Sequence, residues 1–142
     1  WRLSIKYSQD LLGEDFARLV FVERDEGSNT ERAMTARPEL LGDVILGRKD
    51  TPTSYHLSVV HDDALQGVTH VIRGEDLRAS THIHVLLQKL LGLPTPIYRH
   101  HALLTGPDGK RYAKRDRSLT LAALREAGVS AADIRSRIGL PV

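Results

Sequence analysis

The sequence predicts an α/β protein with a parallel sheet, flanking helices and short helices at its C-terminal end. Three neighbouring stretches carry that prediction. "GVTHVIRG" (67–74) is a β-branched run that ends on a glycine. "DLRASTHIHVLLQKLLGL" (76–93) places Ile83, Leu86, Leu87, Leu90 and Leu91 at three- and four-residue spacing, the pattern of an amphipathic helix. "IYRHHALL" (97–104) is extended again. Strand, helix and strand in this order form a crossover unit, whose two strands run parallel.

The other elements follow along the chain. The first part is weakly patterned. "ARLVFVERD" (17–25) reads as a strand and "EGSNTERAMTARPEL" (26–40) as a polar excursion or mobile loop. From Gly42 the signals sharpen. "DVILGRKD" (43–50) and "SYHLSVVHD" (54–62) read as two extended runs separated by Thr51, Pro52 and Thr53. Gly92, Pro94 and Pro96 stop the long helix. Two short helices are predicted over 118–128 and 130–139, with Ser118 and Ser130 as N-caps and Gly128 and Gly139 as stops. No internal repeat or low-complexity tract interrupts this order.

The 142 residues are enough to bury a core, and 41% hydrophobic with 27% charged residues is an ordinary globular composition. The net charge is only +2 although the pI is about 9.1, so the cations act through where they cluster. The chain has no cysteine, which excludes disulfides and thiolate metal sites. No apolar run approaches the roughly 20 residues that cross a bilayer, and no signal peptide is visible, so a cytoplasmic protein without a membrane partner is expected.

Two stretches carry charge in a pattern that calls for chemistry. In "GPDGKRYAKRD" (106–116) a turn on Pro107, Asp108 and Gly109 leads at once into Lys110, Arg111, Lys114 and Arg115. Such a run is either a solvated basic loop or a place where an anion is met. In "VIRGEDL" an apolar strand delivers Arg73 at its carboxyl end, where open parallel sheets bind ligands. Arg73 either makes a two-pronged contact with a carboxylate or phosphate, or pairs structurally with Glu75, Asp76 or Asp62.

The histidine pairs point away from metal. His82 and His84 stand about 200° apart on a helix, and His100 and His101 face opposite sides of a strand. Asp62 and Asp63 read as support for a strand-to-loop junction rather than as an acid/base pair. No covalent nucleophile is evident.

The stretch from "GDVILGRKDTPTSYHLSVVHDD" through "VTHVIRGEDLRAST" and "LLQKLLGLPTPIYRHHALL" to "GPDGKRYAKRD" resembles the glutamyl-tRNA synthetase group of class I aminoacyl-tRNA synthetases. Within that group it is most similar to the short glutamyl-Q tRNA(Asp) synthetases. The likeness is strong from Gly42 to Gly139 and weaker over residues 1–41. It implies the second half of a Rossmann-like nucleotide-binding domain. Residues 1–41 would be a connecting segment, 42–117 that half-domain with its lysine-bearing loop, and 118–142 a helical segment. No His-x-Gly-His occurs, so the first half, with the family's HIGH motif, is expected to lie outside these residues.

The resemblance also assigns roles. "RYAKR" (111–115) stands at the KMSKS loop, which closes over the ATP phosphates. Lys114 matches its second lysine and is the catalytic candidate, and Arg111 replaces the first lysine. Tyr112 and Ala113 depart from Met or Leu and from Ser, exchanging a hydroxyl for a bulky ring. Tyr55 and Arg73 match residues that line the glutamate pocket, while Asp76 and the backbone of Leu103 and Leu104 match positions near adenosine. His84 stands where the family usually has Gln, and His61 where an apolar residue is usual. Neither change is expected to touch a site residue.

The implied reaction is ATP-dependent activation of glutamate, with Mg2+ accompanying ATP, followed by glutamyl transfer to the queuosine base of tRNA(Asp), by a monomer. Zinc occurs in relatives, upstream of anything in this chain. "LTLAALREAGVSAADIRSRIGL", where longer enzymes carry a "GYLPEA"-like segment, favours the short form. The alternatives are a fragment of a conventional glutamyl-tRNA synthetase charging tRNA(Glu), and a non-catalytic RNA-binding paralogue.

Overall fold

A computed structural model describes residues 1–25, 27, 28, 30–106, 109 and 120–141. The chain divides into two compact units, Trp1–Ala102 and Leu103–Val142. The first unit is built on a four-stranded sheet of order β3-β2-β6-β5. Its strands are β2 (Val20–Arg24), β3 (Glu31–Thr35), β5 (His70–Gly74) and β6 (Ile97–His101). The two short strands β1 (Arg2–Leu3) and β4 (Val44–Ile45) pair separately and antiparallel.

The crossover unit forms as its periodicity predicts. β5 and β6 run parallel, with Arg73 opposite His100 and Val71 opposite Tyr98. Between them α4 (Arg78–Leu91) follows a single 3-10 turn at Glu75–Leu77. It buries Ile83, Val85, Leu86 and Leu87, each at most 2% exposed, against the sheet. Gly92 ends it in the left-handed conformation at φ 66°, which its missing Cβ permits at little cost.

β2 also joins β6 in parallel, with Glu23 opposite Tyr98. Phe21 from β2 meets the Tyr98 ring edge-on at 5.7 Å, linking sheet to core.

Three elements differ from the sequence reading. Residues 54–62 form not an extended run but α3 (Tyr55–Leu65). The Ser54 hydroxyl accepts from the Leu57 N–H and starts the helix, and the Ser54 N–H donates to the Leu46 carbonyl at 2.8 Å. Packing of Val60 on α4 then outweighs the β preference of two adjacent valines. Asp62 and Asp63 therefore lie on a helix, not at a strand-to-loop junction.

The excursion at 26–40 contains β3. Asp25 Oδ1 accepts from the N–H groups of Gly27 and Ser28, and this turn folds Glu31–Thr35 back along β2. The extended run at 43–50 contracts to Val44–Ile45. Beyond it the chain reverses tightly at Gly47, where a Cβ would come within 2.5 Å of the Pro52 carbonyl oxygen.

The N-terminal stretch holds two helices that its weak pattern hid, α1 (Ile5–Leu12) and α2 (Glu14–Ala17). Ile5 and Phe16 are their buried anchors.

In the second unit α5 (Leu121–Glu126) is capped by Thr120, whereas the predicted cap Ser118 lies outside the described residues. α6 (Ala131–Arg137) starts at Ser130 as predicted, with Asp133 completing a reciprocal capping box. Among the described residues no helix is long and apolar enough to cross a membrane.

The core of the first unit is not wholly apolar. Arg73, His84, His100, Thr81, Gln88 and Glu23 are buried with the hydrocarbons. Burial first, then the positive field of Arg73 and the neighbouring His56, depresses His84 from its ordinary 6.5 to about 3.

Two predictions follow from this core. Leu86→Ala, at a fully buried position, should cost about 2–5 kcal/mol in urea unfolding, while Leu65→Ala at an exposed one stays within about 0.5 kcal/mol. As pH falls below about 6.5, the unfolded chain takes up a proton that folded His84 refuses, so stability declines toward acid. One such group contributes about 1.4 kcal/mol per pH unit. A urea midpoint that stays flat from pH 7.5 to pH 5 would contradict this.

Candidate functional site

Arg73 is the fourth residue of β5, so its side chain points under α4 rather than to solvent, and only 9% of the residue is exposed. Its Nε donates to His100 Nε2 at 3.3 Å, one Nη to His84 Nδ1 at 3.1 Å and the other to Thr81 Oγ1 at 2.6 Å. The guanidinium carbon lies 5.2 Å from the centre of the Tyr98 ring, within cation–π range. The alternative structural pairings do not form with Glu75 or Asp62. Glu75 binds Arg78 at 2.5 Å and Asp62 meets His61 at 3.2 Å.

These contacts follow from the register. His100 faces Arg73 across the ladder, and Tyr98, two residues earlier, faces the same side and stacks on His100 with a 1° interplanar angle. Thr81 and His84 stand one turn apart on the buried side of α4. α3 adds His56, whose Nδ1 is 3.1 Å from His84 Nε2. The Tyr55 ring meets those of His84 and His56 edge-on at 5.7 Å and 5.9 Å.

Because a guanidinium only donates, it dictates the protons around it. His84 Nδ1 must accept from Arg73, which leaves its proton on Nε2, donated to His56 Nδ1. His56 then carries its own proton on Nε2. His100 accepts at Nε2 and donates from Nδ1 to Glu23 Oε1 at 2.7 Å.

All three rings are neutral near pH 7, each held below its usual range mainly by burial. The Arg73 charge adds to that effect, and at His100 the bond to Glu23 opposes it. The same burial raises the Asp63 carboxyl and the Tyr98 phenol. Clustered shifts of this kind mark functional sites more often than ordinary surface.

The network spans two openings. Glu23, His100, Arg78 and Arg32 line a cavity of about 430 Å³. Tyr55 and His56 line another of about 560 Å³, with Gly47 and Arg48 on its rim.

The structure thus brings Tyr55 and Arg73 together on either side of His84. Tyr55 is half-exposed. Asp76 is exposed on the turn after β5, while Leu103, half-buried, and Leu104, exposed, belong to the second unit. Lys114 and Arg111 lie outside the described residues.

Sequence reasoning missed Thr81, His100 and Glu23, and it read His84 as touching no site residue. That reading is corrected here, because His84 bonds Arg73 directly and packs on Tyr55. The available signal was the helical phase, which puts residue 84 with 81 and 88 on the inner face of α4. Among the described residues no group of three His, Asp or Glu side chains is arranged to hold a metal ion.

Glutamyl-Q tRNA(Asp) synthetase of Rhodobacter capsulatus is 59% identical over 108 residues, covering 73% of this chain and 39% of that protein. The Geobacter sulfurreducens protein of the same name is 49% identical over 89 residues, covering 63% and 28%. The chain therefore spans well under half the length of these relatives.

Among crystal structures, a glutamate tRNA ligase from Elizabethkingia meningosepticum in complex with its amino acid superposes with a TM-score of 0.53. It is 29% identical, and the match covers 80% of this chain and 24% of that one. The parallel strands and flanking helices are those of the Rossmann-like domain of class I synthetases. Residues 29–140 match the model of the catalytic domain of class I tRNA synthetases (E and Q), and the chain belongs to that family.

Proposed function

We propose that this chain carries the amino-acid pocket and the phosphate loop of an ATP-dependent ligase that activates glutamate and passes it to the queuosine base of tRNA(Asp). The observation that carries the reading is Arg73, a buried guanidinium whose bonded partners are two imidazole nitrogens and a hydroxyl, with Tyr55 on the other side of its partner His84. Three of its five N–H donors are used in those bonds. The remaining two, one on each Nη, suit the carboxylate of an acidic amino acid. The Tyr55 hydroxyl supplies a second polar contact at the same place. A neutral amino acid would leave these groups unpaired, and that penalty discriminates against it.

In the reaction the α-carboxylate of glutamate attacks the α-phosphorus of ATP, giving glutamyl-adenylate and pyrophosphate. Negative charge grows on the transferring phosphoryl oxygens, and the Lys114 ammonium, aided by Arg111, stabilises it. ATP enters as its magnesium complex. Asp76 and the backbone of Leu103 and Leu104 flank the adenosine. The segment 42–117 carries these groups, and the enzyme acts as a cytoplasmic monomer. The glutamyl-Q assignment is favoured by relatives of that name at up to 59% identity.

The tests use the gene product that carries this chain. Glutamate alone, without tRNA, should drive pyrophosphate exchange; exchange that needs tRNA(Glu) would identify a conventional glutamyl-tRNA synthetase instead. Arg73→Ala should lower glutamate-dependent exchange by about two to four decades, the loss of two charge-assisted hydrogen bonds, with ATP affinity retained. Tyr55→Phe should raise the KM for glutamate about fivefold, the worth of one neutral hydrogen bond. Unchanged exchange in Arg73→Ala would remove that residue from the pocket.

A further inference from the structure

We propose that Glu23 is a positioning residue of this site: through the His100 imidazole, its carboxylate sets the orientation of the Arg73 guanidinium. The inference rests on the glutamate-binding reading above. It adds a residue that lies before the family-matched stretch 29–140.

The argument starts from the donor inventory. Arg73 Nε–H points at His100 Nε2 at 3.3 Å, and the Thr81 hydroxyl lies 3.2 Å from the same nitrogen. Thr81 Oγ1 already accepts from the Arg73 Nη at 2.6 Å, so its own proton is available to His100. His100 Nε2 therefore accepts while Nδ1 carries the ring proton, a tautomer that Arg73 and Glu23 select together from opposite sides of the imidazole. A buried N–H needs an acceptor, and Glu23 Oε1 at 2.7 Å is that acceptor.

Glu23 is itself held. It is 8% exposed, and its second oxygen accepts from Arg78 at 2.7 Å. Register completes the alignment. Glu23 stands opposite Tyr98 on β6, and Arg73 opposite His100, so the carboxylate, imidazole and guanidinium cross three neighbouring strands on one face.

The arrangement has a functional logic. A carboxylate bonded directly to Arg73 would compete with an acidic substrate for its N–H groups. Placed one imidazole away, Glu23 steers the guanidinium while leaving those donors to the ligand. The other titratable groups facing this cluster include His56 and Asp63 from α3, His82, His84 and Arg78 from α4, and Tyr98 from β6. Apart from Arg78 none of them bonds the Glu23 carboxylate among the described residues, so its removal acts first on His100 and Arg78.

Imidazole nitrogen NMR on the 15N-labelled gene product, combined with titration by L-glutamate and ATP, tests this. Wild-type His100 should be the Nδ1–H tautomer. Glu23→Leu, which removes the acceptor, should shift His100 toward Nε2–H and weaken glutamate binding at least tenfold, with ATP affinity within twofold. Glu23→Gln keeps an acceptor oxygen and should retain the tautomer and bind glutamate within threefold of wild type.

An Nε2–H tautomer in the wild type overturns the proposal even if the leucine variant does not fold. So does wild-type glutamate affinity in a folded Glu23→Leu. If the wild type fails to bind glutamate, the functional reading falls. A tautomer that still follows residue 23 would then uphold the Glu23–His100–Arg73 coupling by itself.

Discussion

A charge that cannot be titrated away is buried beneath α4, and the organisation of the site depends on it. Asp, Glu, Lys and His can escape a dry environment by gaining or losing a proton, but a guanidinium cannot. Arg73 therefore forces its surroundings to comply. Every neighbour must present a lone pair, which selects a hydroxyl and two imidazoles in defined tautomers. Burial first and the Arg73 charge second keep His84 neutral, and the bond from Arg73 sets its tautomer and, through it, the proton on His56.

Neutral partners are a costly choice for stability. Opposite charges compensate a buried ion better than dipoles do, and replacing such polar clusters by hydrocarbon is often stabilising. Here Glu23 stands one ring away, and the aromatic face of Tyr98 supports the cation from the side. The result is a positive centre that the protein compensates through dipoles and one carboxylate a ring away, a poise that fits the anion-binding role proposed above. Sites of this kind trade folding free energy for affinity.

The sheet supplies the rigidity the arrangement needs. Arg73, His100 and Glu23 come from three adjacent parallel strands, whose register leaves no freedom to slide. α4 carries Thr81 and His84 at one-turn spacing, and α3 brings Tyr55 and His56 against it. Tyr55 sits in the first turn of its helix because Ser54 caps it there. The cap and the packing of α3 on α4 together set the turn from which the Tyr55 ring reaches the cluster.

Much of this was legible in the linear pattern, and what was not has an identifiable cause. Period 3.6 over 76–93 and the glycine stop at Gly92 marked α4, because apolar spacing and backbone permissiveness are local properties. Arg73 at the end of a β-branched run marked a candidate for ligand contact or structural pairing for the same reason. The run 54–62 is ambiguous by composition, and only contact with α4 made it helical. β3 escaped notice because its side chains are largely exposed and carry no alternation, so its place came from pairing with β2. The sequence by itself determined the crossover unit through spacing within short stretches, and the family and the candidates Tyr55 and Arg73 through the resemblance its motifs carry. The tertiary structure decided that Glu23, His84 and His100 meet Arg73. Residues 77 positions apart become hydrogen-bonded neighbours only when parallel strands are set side by side.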